Sequence, residues 1–348
     1  MTLYIGIDFH PYQQTVAFCD ERDGEIKYRQ FLHSDKKALR DFYQTCQKDT
    51  VIGVEATGSL QWFQKLLFEL GLNLKIGNPR LIRRMALSRH KNDYRDAENV
   101  LDLLMTKRFP EIQPRSQSSG LILQTIALRH ALVGQRTRLL NQLQAFARQK
   151  GLDKFRMRNN SAMETICASA ENEIERLLAN TRFQVIGELN RQINELEATL
   201  SKALEQDEKA RLLQTHSGVG KLTALCLVHT LGDVKRFNNK EEVTSFVGLA
   251  PVEKSSGERK RLGQISKQGS KLLRFLLIEA AQKSKDTDLQ EHYKRVSSRR
   301  GKPQAKVAMG RKLLINCYVM LRDNKSYPEF SRHREVGGHD DSRKVKGQ

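Results

Sequence analysis

The sequence contains no apolar run near the roughly 18–20 residues that cross a bilayer, so a membrane span is not expected. It opens Met-Thr-Leu-Tyr and passes at once into strand-like residues, without the basic-then-apolar order of a signal peptide. A cytosolic protein is expected. Cysteine is sparse: Cys19, Cys46, Cys167, Cys226 and Cys317 are scattered, with no Cys-x-x-Cys pair, and the nine histidines show no zinc spacing. Neither a disulfide framework nor a zinc site is expected. Acid is also short, with 40 Asp+Glu against 60 Lys+Arg for a formal charge of +20. Such an excess repels itself, and a polyanion is the usual compensating partner, with an anionic membrane surface as the rival. Aromatic residues make up only 7% and rarely sit among the charges, which favours contacts to a phosphate backbone over base stacking.

What is present begins with an α/β pattern. Leu3–Ile7, Thr15–Cys19 and Ile26–Phe31 are short β-rich runs, and Asp23-Gly24 offers a tight turn between the second and third. A helix is expected over Lys36–Gln47, a buried strand at Val51–Val54, a helix over Leu60–Leu70 and a strand at Leu72–Ile76. The order β-β-β-α-β-α-β reads as a mixed sheet flanked by helices. Thr57 and Gly58 are assigned a structural role at the turn before the second helix.

Three features of this region carry chemistry. Lys-Asn-Asp-Tyr-Arg-Asp-Ala (residues 91–97) places Asp93 and Asp96 on one face at the mouth of an apolar-periodic helix. Either acid there is also explained by capping, since the first-turn N–H groups are unpaired and the helix dipole is positive at that end. Asp8 directly follows the first strand and Glu55 directly follows the strand Val-Ile-Gly-Val. If those strands are neighbours, their carboxylates emerge at one edge and the Asp93 helix can close over them. Four converging carboxylates repel unless a cation lies between them, and hard oxygen ligands indicate Mg²⁺, with Mn²⁺ as the alternative. Two such ions can serve the attacking and leaving oxygens of a phosphodiester. Asp, Glu, Asp, Asp over this strand pattern resembles a RuvC type of nuclease domain, of RNase-H-like fold.

Domain boundaries are expected to give a catalytic region over 1–112, a helical, coiled-coil region over 113–207, a C-terminal domain over 208–326 and a disordered tail over 327–348. Leu121–Gln149 reads as one long helix and 162–204 as a second, with a seam at Leu189, Ile193, Leu196, Leu200 and Ala203. The seam can pair with the preceding helix or with another protomer, and an arm that dimerises is favoured. Ser-Gly-Val-Gly-Lys (residues 217–221) is not a Walker A loop, because Thr215 and Leu222 stand where a glycine and a Ser/Thr are needed. It reads as a helix-hairpin-helix turn, in which Gly218, Gly220 and Lys221 meet a DNA phosphate, with a tight turn between two helices and no ligand as the alternative. Residues 253–274 then carry Lys254, Arg259, Lys260, Arg261, Lys267, Lys271 and Arg274 against two glutamates. Ser255 and Ser256 lie within that basic loop, where cations lower the cost of ionising a hydroxyl and stabilise a pentavalent phosphate, although composition alone favours a plain DNA-contact loop.

Over nearly its whole length the chain resembles the transposases of the insertion-sequence family numbered one hundred and ten, to which Piv-type DNA invertases belong. The resemblance is carried by Gly-Ile-Asp8, Glu55-Ala-Thr-Gly, Lys-x-Asp93-x-x-Asp96-Ala, Ser-Gly-Val-Gly-Lys-x-Thr-Ala, Phe-x-Gly-Leu-x-Pro251, Ser256-Gly, Ser266-Lys-x-Gly, Leu-Arg274 and Arg311-Lys-Leu-Leu. It implies a RuvC-like domain whose Asp8, Glu55, Asp93 and Asp96 bind Mg²⁺, joined by a coiled coil to a domain whose Ser256 becomes covalently linked to DNA. It further implies bacterial, nucleoid-associated action on donor and target DNA, dimers or tetramers with shared active sites, and in some members a non-coding guide RNA. Two departures stand out: Phe9-His10-Pro11-Tyr12 where the family often has a lysine, and Ser255 directly before Ser256. A metal-dependent DNA nuclease and a non-catalytic nucleic-acid-binding assembly protein are the competing functions.

Overall fold

A computed structural model describes residues 2–86, 92–113, 115–152, 160–253 and 262–337. The chain divides into two compact units, Met1–Pro114 and Arg115–Gln348.

The first unit is built on a five-stranded sheet of β1 (Leu3–Phe9), β2 (Gln13–Asp20), β3 (Lys27–Leu32), β4 (Val51–Glu55) and β5 (Leu74–Gly77), ordered β3-β2-β1-β4-β5. β1 pairs antiparallel with β2 and β2 with β3, while β4 runs parallel to β1 and β5 parallel to β4. The parallel strands β1 and β4 are apolar on successive residues because helices cover both faces. On one face α1 (Lys36–Gln44) and α2 (Gln61–Glu69) bring Leu39, Tyr43, Phe63 and Leu67 onto Ile5, Ile7, Ile52 and Val54. The helices α3 (Pro79–Met85) and α4 (Asp93–Met105) follow, and α4 buries Ala97, Val100, Leu101, Leu103 and Leu104. Five such side chains removed from water stabilise the helix-on-sheet packing by roughly 1.5–3 kcal/mol for each large one. The mixed sheet with flanking helices is the one expected from the strand pattern.

The second unit is mostly helical. It contains α5 (Gln117–Gln149), α6 (Asn160–Ala168), α7 (Glu173–Gln206), α8 (Glu208–Gln214), α9 (Lys221–Leu231) and α10 (Lys240–Val247). A two-stranded ribbon of β6 (Pro251–Glu253) and β7 (Leu262–Ile265) precedes α11 (Lys271–Lys283), α12 (Thr287–Arg300), α13 (Lys302–Asp323) and α14 (Tyr327–Gly337). Its core gathers α9, α11 and α13 around Leu225, Leu277, Leu313 and Tyr318, whose hydroxyl donates to the Phe237 carbonyl. No helix among the described residues is long and apolar enough to cross a membrane.

Three expectations need correction. The helix expected over 162–204 is two helices, because Asn172 accepts from the Glu175 N–H and starts α7 afresh. The seam of α7 is met within the same chain. Contacts step down α5 as they step up α7, at Arg129–Glu197 (2.9 Å), Arg136–Asn190 (3.0 Å) and Gln142–Arg182 (3.2 Å), so the two helices form an antiparallel hairpin. The tail is helical over Tyr327–Gly337: Ser326 is tied to Glu329 through its N–H and hydroxyl, and Tyr327 packs on His216 with ring centroids 4.3 Å apart. Residues 338–348 lie outside the described part.

Candidate active site

Two glycines set the position of α4. Gly6 on β1 and Gly53 on β4 are register partners, and both lack a side chain on the face that α4 covers. A Cβ on Gly6 would fall 2.4 Å from the Ala97 carbonyl oxygen and from the Leu101 nitrogen, so the helix backbone rests directly on the strand. This seating carries the first turn of α4 to the edge where β1 ends. Asn92, not Asp93, caps the helix by accepting from the Tyr94 N–H, which leaves the Asp93 carboxylate uncommitted to capping. Asp93 and Asp96 are both first-turn residues, favoured there by the helix dipole.

Asp8, His10 and Asp93 offer one ligand atom each within 4.8 Å of one another. His10 Nε2 lies 3.0 Å from Asp8 Oδ2 and 3.7 Å from Asp93 Oδ1. The Asp8 carboxyl is held above the usual carboxylate range, first by burial, against the opposing pull of His10, with the Asp96 and Asp93 charges raising it further. A half-buried carboxylate pressed by two others is short of positive charge, which a divalent cation supplies. Carboxylate oxygens with one imidazole are a donor set that fits Mg²⁺ or Mn²⁺, the nitrogen being better suited to Mn²⁺. Glu55 closes β4, the neighbour of β1, and its Oε1 accepts from Arg83 Nη2 at 3.2 Å. The sequence did not single out His10 as a cluster member. Its signal was the spacing of two from Asp8, which puts alternate residues of an extended chain on one side.

In the second unit, Ser256, Ser255, Lys254, Arg259, Lys260 and Arg261 fall on residues 254–261, outside the described part. The base from which that loop springs is described. Gly248 ends α10 at φ 79° and Gly269 lies at φ 74°, and a Cβ on either would strike backbone, Gln268 O at 1.9 Å and Phe246 O at 2.3 Å. Arg274 Nη1 donates to the carbonyls of Val247, Gln268 and Gly269 at 3.1, 2.7 and 3.2 Å. Burial lowers the pKa of its guanidinium. These contacts assign Arg274 to holding the two ends of the loop together. Lys267 (φ 55°) donates its N–H to Gly248 O, and its side chain is exposed, as is that of Lys271 at the start of α11.

The Gly218–Gly220 turn joins α8 to α9. A Cβ on Gly218 would lie 2.7 Å from Ala280 O and from Ser284 Cβ, so this glycine permits close packing on α11, whereas Gly220 faces open space. Lys221 Nζ donates to Ser201 Oγ at 2.7 Å and to the Glu197 carbonyl at 3.2 Å, which ties it to α7. Beneath the turn, Gly218 N–H donates to His216 Nδ1, so the His216 proton is on Nε2, 3.5 Å from Asp286 Oδ2.

The transposase model of the IS110 group that carries the DEDD label matches residues 5–150, and the model described as the transposase IS116/IS110/IS902 family matches residues 210–297. The chain is similar to the transposase for insertion sequence element IS1328 of Yersinia enterocolitica, 30% identical over 288 residues that cover 80% of this chain and 82% of that one. It is similar to the transposase for insertion sequence element IS1111A of Coxiella burnetii, 26% identical over 79% of this chain and 78% of that one. The pilin gene-inverting protein of Moraxella lacunata is 26% identical over 93% of this chain and 97% of its own length.

Proposed function

The chain belongs to the IS116/IS110/IS902 family of transposases, and on that premise we propose that it cuts and rejoins the DNA of a mobile element by phosphoryl transfer through a serine hydroxyl. The observation that carries the reading is the gathering of Asp8, His10 and Asp93 within 4.8 Å at one sheet edge. The strand order β3-β2-β1-β4-β5, with the first three strands antiparallel, supports an RNase-H-like domain of the RuvC type. Asp8, Glu55, Asp93 and Asp96 would hold Mg²⁺ or Mn²⁺. A bound ion offsets charge on the phosphate and on the departing oxygen.

In the proposed step, Ser256 Oγ gives up its proton and bonds to phosphorus while one phosphorus–deoxyribose oxygen bond breaks, and the departing oxygen takes a proton. Chain and DNA are then joined as a phosphoserine ester. A DNA hydroxyl reverses the step, so one ester is exchanged for another and rejoining needs no outside energy source. Lys254, Arg259, Lys260 and Arg261 would balance phosphate charge, and the Gly248–Gly269–Arg274 clasp supports a loop of fixed footing. The Gly218–Gly220 turn is read as a helix-hairpin-helix whose first glycine packs and whose second stays open to DNA. Sequence choice is assigned to a non-coding RNA of the same element, consistent with a charge of +20 and few aromatics for reading bases. The α5–α7 hairpin is read as a coiled-coil arm that pairs protomers, because Ile174, Leu177, Leu178 and Val185 on α7 remain exposed.

The test is a denaturing gel of the protein with Mg²⁺, matching DNA, and RNA transcribed from the flanks of its gene. A covalent adduct lost in Ser256→Ala, with DNA binding kept, is the expected result, and recombination undiminished in that variant would remove the serine from the mechanism. A metal-dependent nuclease is the second reading, favoured by an Asp8–His10–Asp93 cluster contained in the first unit alone. Cutting without an adduct would establish it.

A further inference from the structure

The helices α12 and α13 carry a charge pattern that the fold itself does not call for. Residues 287–312 hold eight Lys/Arg against Asp288 and Glu291. The two helices pack along their length, and Lys312 Nζ reaches the Asp288 carbonyl at 3.0 Å. Between them lies His292, whose Nδ1 is 3.1 Å from Arg295 Nη2. Burial holds this imidazole below its ordinary value, and Lys312, Arg295, Arg311 and Arg299 all push it the same way. The charges acting on it are therefore all positive, delivered by two helices to one seam.

Local stability explains only part of the pattern. Arg299 and Arg300 close α12, where the dipole favours cations, but α13 opens with Lys302 and has no acid in its first turn, the arrangement the dipole opposes. Some arginines elsewhere are ion-paired, Arg129 with Glu197, Arg191 with Glu188 and Arg322 with Asp323. Among the described residues, Lys294, Arg295, Arg299, Lys302, Lys306 and Arg311 make no such ion pair, and all but Arg311 are exposed. Self-repulsion of this kind is relieved by an external polyanion.

The form of the seam selects among polyanions. Arg295 and Arg299 stand one turn apart on a helix of 14 residues, about 21 Å long, which spans roughly six steps of a nucleic-acid strand at ~3.4 Å each. The one Phe, Tyr or Trp of α12, Tyr293, packs against the core, so α12 offers no large aromatic platform on which an unpaired base could stack. We propose that the α12–α13 seam, centred on Arg295, Arg299, Lys306 and Arg311, binds the phosphate backbone of duplex DNA. The proposal rests on the reading of the chain as a DNA recombinase, and adds a surface separate in sequence from the carboxylates and Ser256.

The experiment measures anisotropy of a short, labelled DNA duplex of arbitrary sequence across a salt series. It compares the full chain with Arg295→Gln/Arg299→Gln and with Lys37→Gln/Lys65→Gln, which removes equal charge from exposed sites on the first unit. Melting curves confirm that each variant is folded. Loss of two phosphate contacts is expected to reduce the slope of log affinity against log salt by about 1.8 and to weaken binding roughly 30-fold near physiological salt, with the Lys37/Lys65 pair unchanged. Wild-type slope and affinity in the Arg295/Arg299 variant would overturn the proposal, as would equal loss in the control pair. Loss confined to a duplex RNA of the same sequence would overturn the choice of DNA. Absence of DNA binding by the unaltered chain would instead count against the recombinase reading and take this proposal with it.

Discussion

Replacing Gly6 by alanine would put a Cβ 2.4 Å from both the Ala97 carbonyl oxygen and the Leu101 nitrogen. Ordinary contact for such pairs is about 3.4–4 Å, so the overlap is on the order of 1 Å, and both obstacles are backbone that no rotamer change can move. The helix α4 must rise off β1 as a body, at an overpacking cost of about 1–3 kcal/mol. Asp93 travels with it, while Asp8 and His10 remain on the strand. A displacement of ~1 Å at a reacting centre costs about 100-fold in rate, so the loss of DNA cutting is expected to exceed what the lost stability alone would give. Gly53→Ala is the internal standard, because its nearest obstacles are side-chain atoms of Leu104, the branch ends at 2.8–2.9 Å and Cγ at 3.1 Å, which can rotate away. Gly58→Ala, with nothing within 4 Å, is expected to be silent. Urea denaturation, Mn²⁺ affinity by electron paramagnetic resonance and cutting of DNA are measured on all three. Wild-type stability and metal affinity in Gly6→Ala, or equal losses in Gly53→Ala, would refute the argument that α4 is seated by backbone contact.

Two other perturbations follow from buried or exposed groups away from the sheet edge. Burial alone would push the Asp286 carboxyl up, but bonds from His216, Tyr327 and the Leu289 N–H hold it down at about 2. A carboxyl lowered on folding contributes stability above its unfolded value near 3.8 and loses it as pH falls toward 2; the difference is about 2 kcal/mol. Asp286→Asn should therefore unfold more easily at neutral pH and show a flatter acid limb between those values, and parallel limbs in urea titrations would contradict the assignment. Ile174→Ser/Leu177→Ser removes two side chains 70% and 65% exposed on α7, and light scattering should report a smaller assembly than the unaltered chain forms; an unaltered chain that is itself monomeric would dismiss the pairing arm.

The sheet was legible because its strands are short β-rich runs ending in turn residues, and because an acid directly after an apolar strand marks the strand's end. Asp8 and Glu55 were legible in that way, and Asp93 and Asp96 through their spacing of three at the mouth of an apolar-periodic helix. The cap did not: Asn92 and Asp93 are both good capping residues, and only the backbone geometry decides which one accepts the Tyr94 N–H. His10 was noticed as a departure from a lysine and not as a neighbour, since its closeness to Asp93 depends on where α4 crosses the sheet. The glycine turn marked Lys221, and a cation count over 253–274 marked Arg274, as phosphate contacts, yet Lys221 is tied to α7 and Arg274 to three carbonyls. Composition records how much charge a segment carries, not which charges the fold consumes. For the same reason α12 was hard to read, since a helix with Leu289 as its one fully buried side chain lacks an apolar stripe.

The α5–α7 hairpin has two packed ends of different ancestry in the chain. At the root, Ile122, Leu123, Ile126, Leu200 and Leu204 join the core of the second unit. At the tip, Leu143, Ala147, Ile166, Ala179 and Ile186 form a small core of their own. The stretch between them buries Leu189 and Ile193 and adds polar pairs such as Arg136–Asn190. A leg of 33 residues, ~50 Å long, thus behaves as a measured spacer whose ends do not depend on its length. Removing seven residues from each leg, two helical turns in phase, would draw the tip in by ~10 Å and leave both cores intact. Reach becomes a quantity that insertion and deletion can tune, independently of the two packed ends.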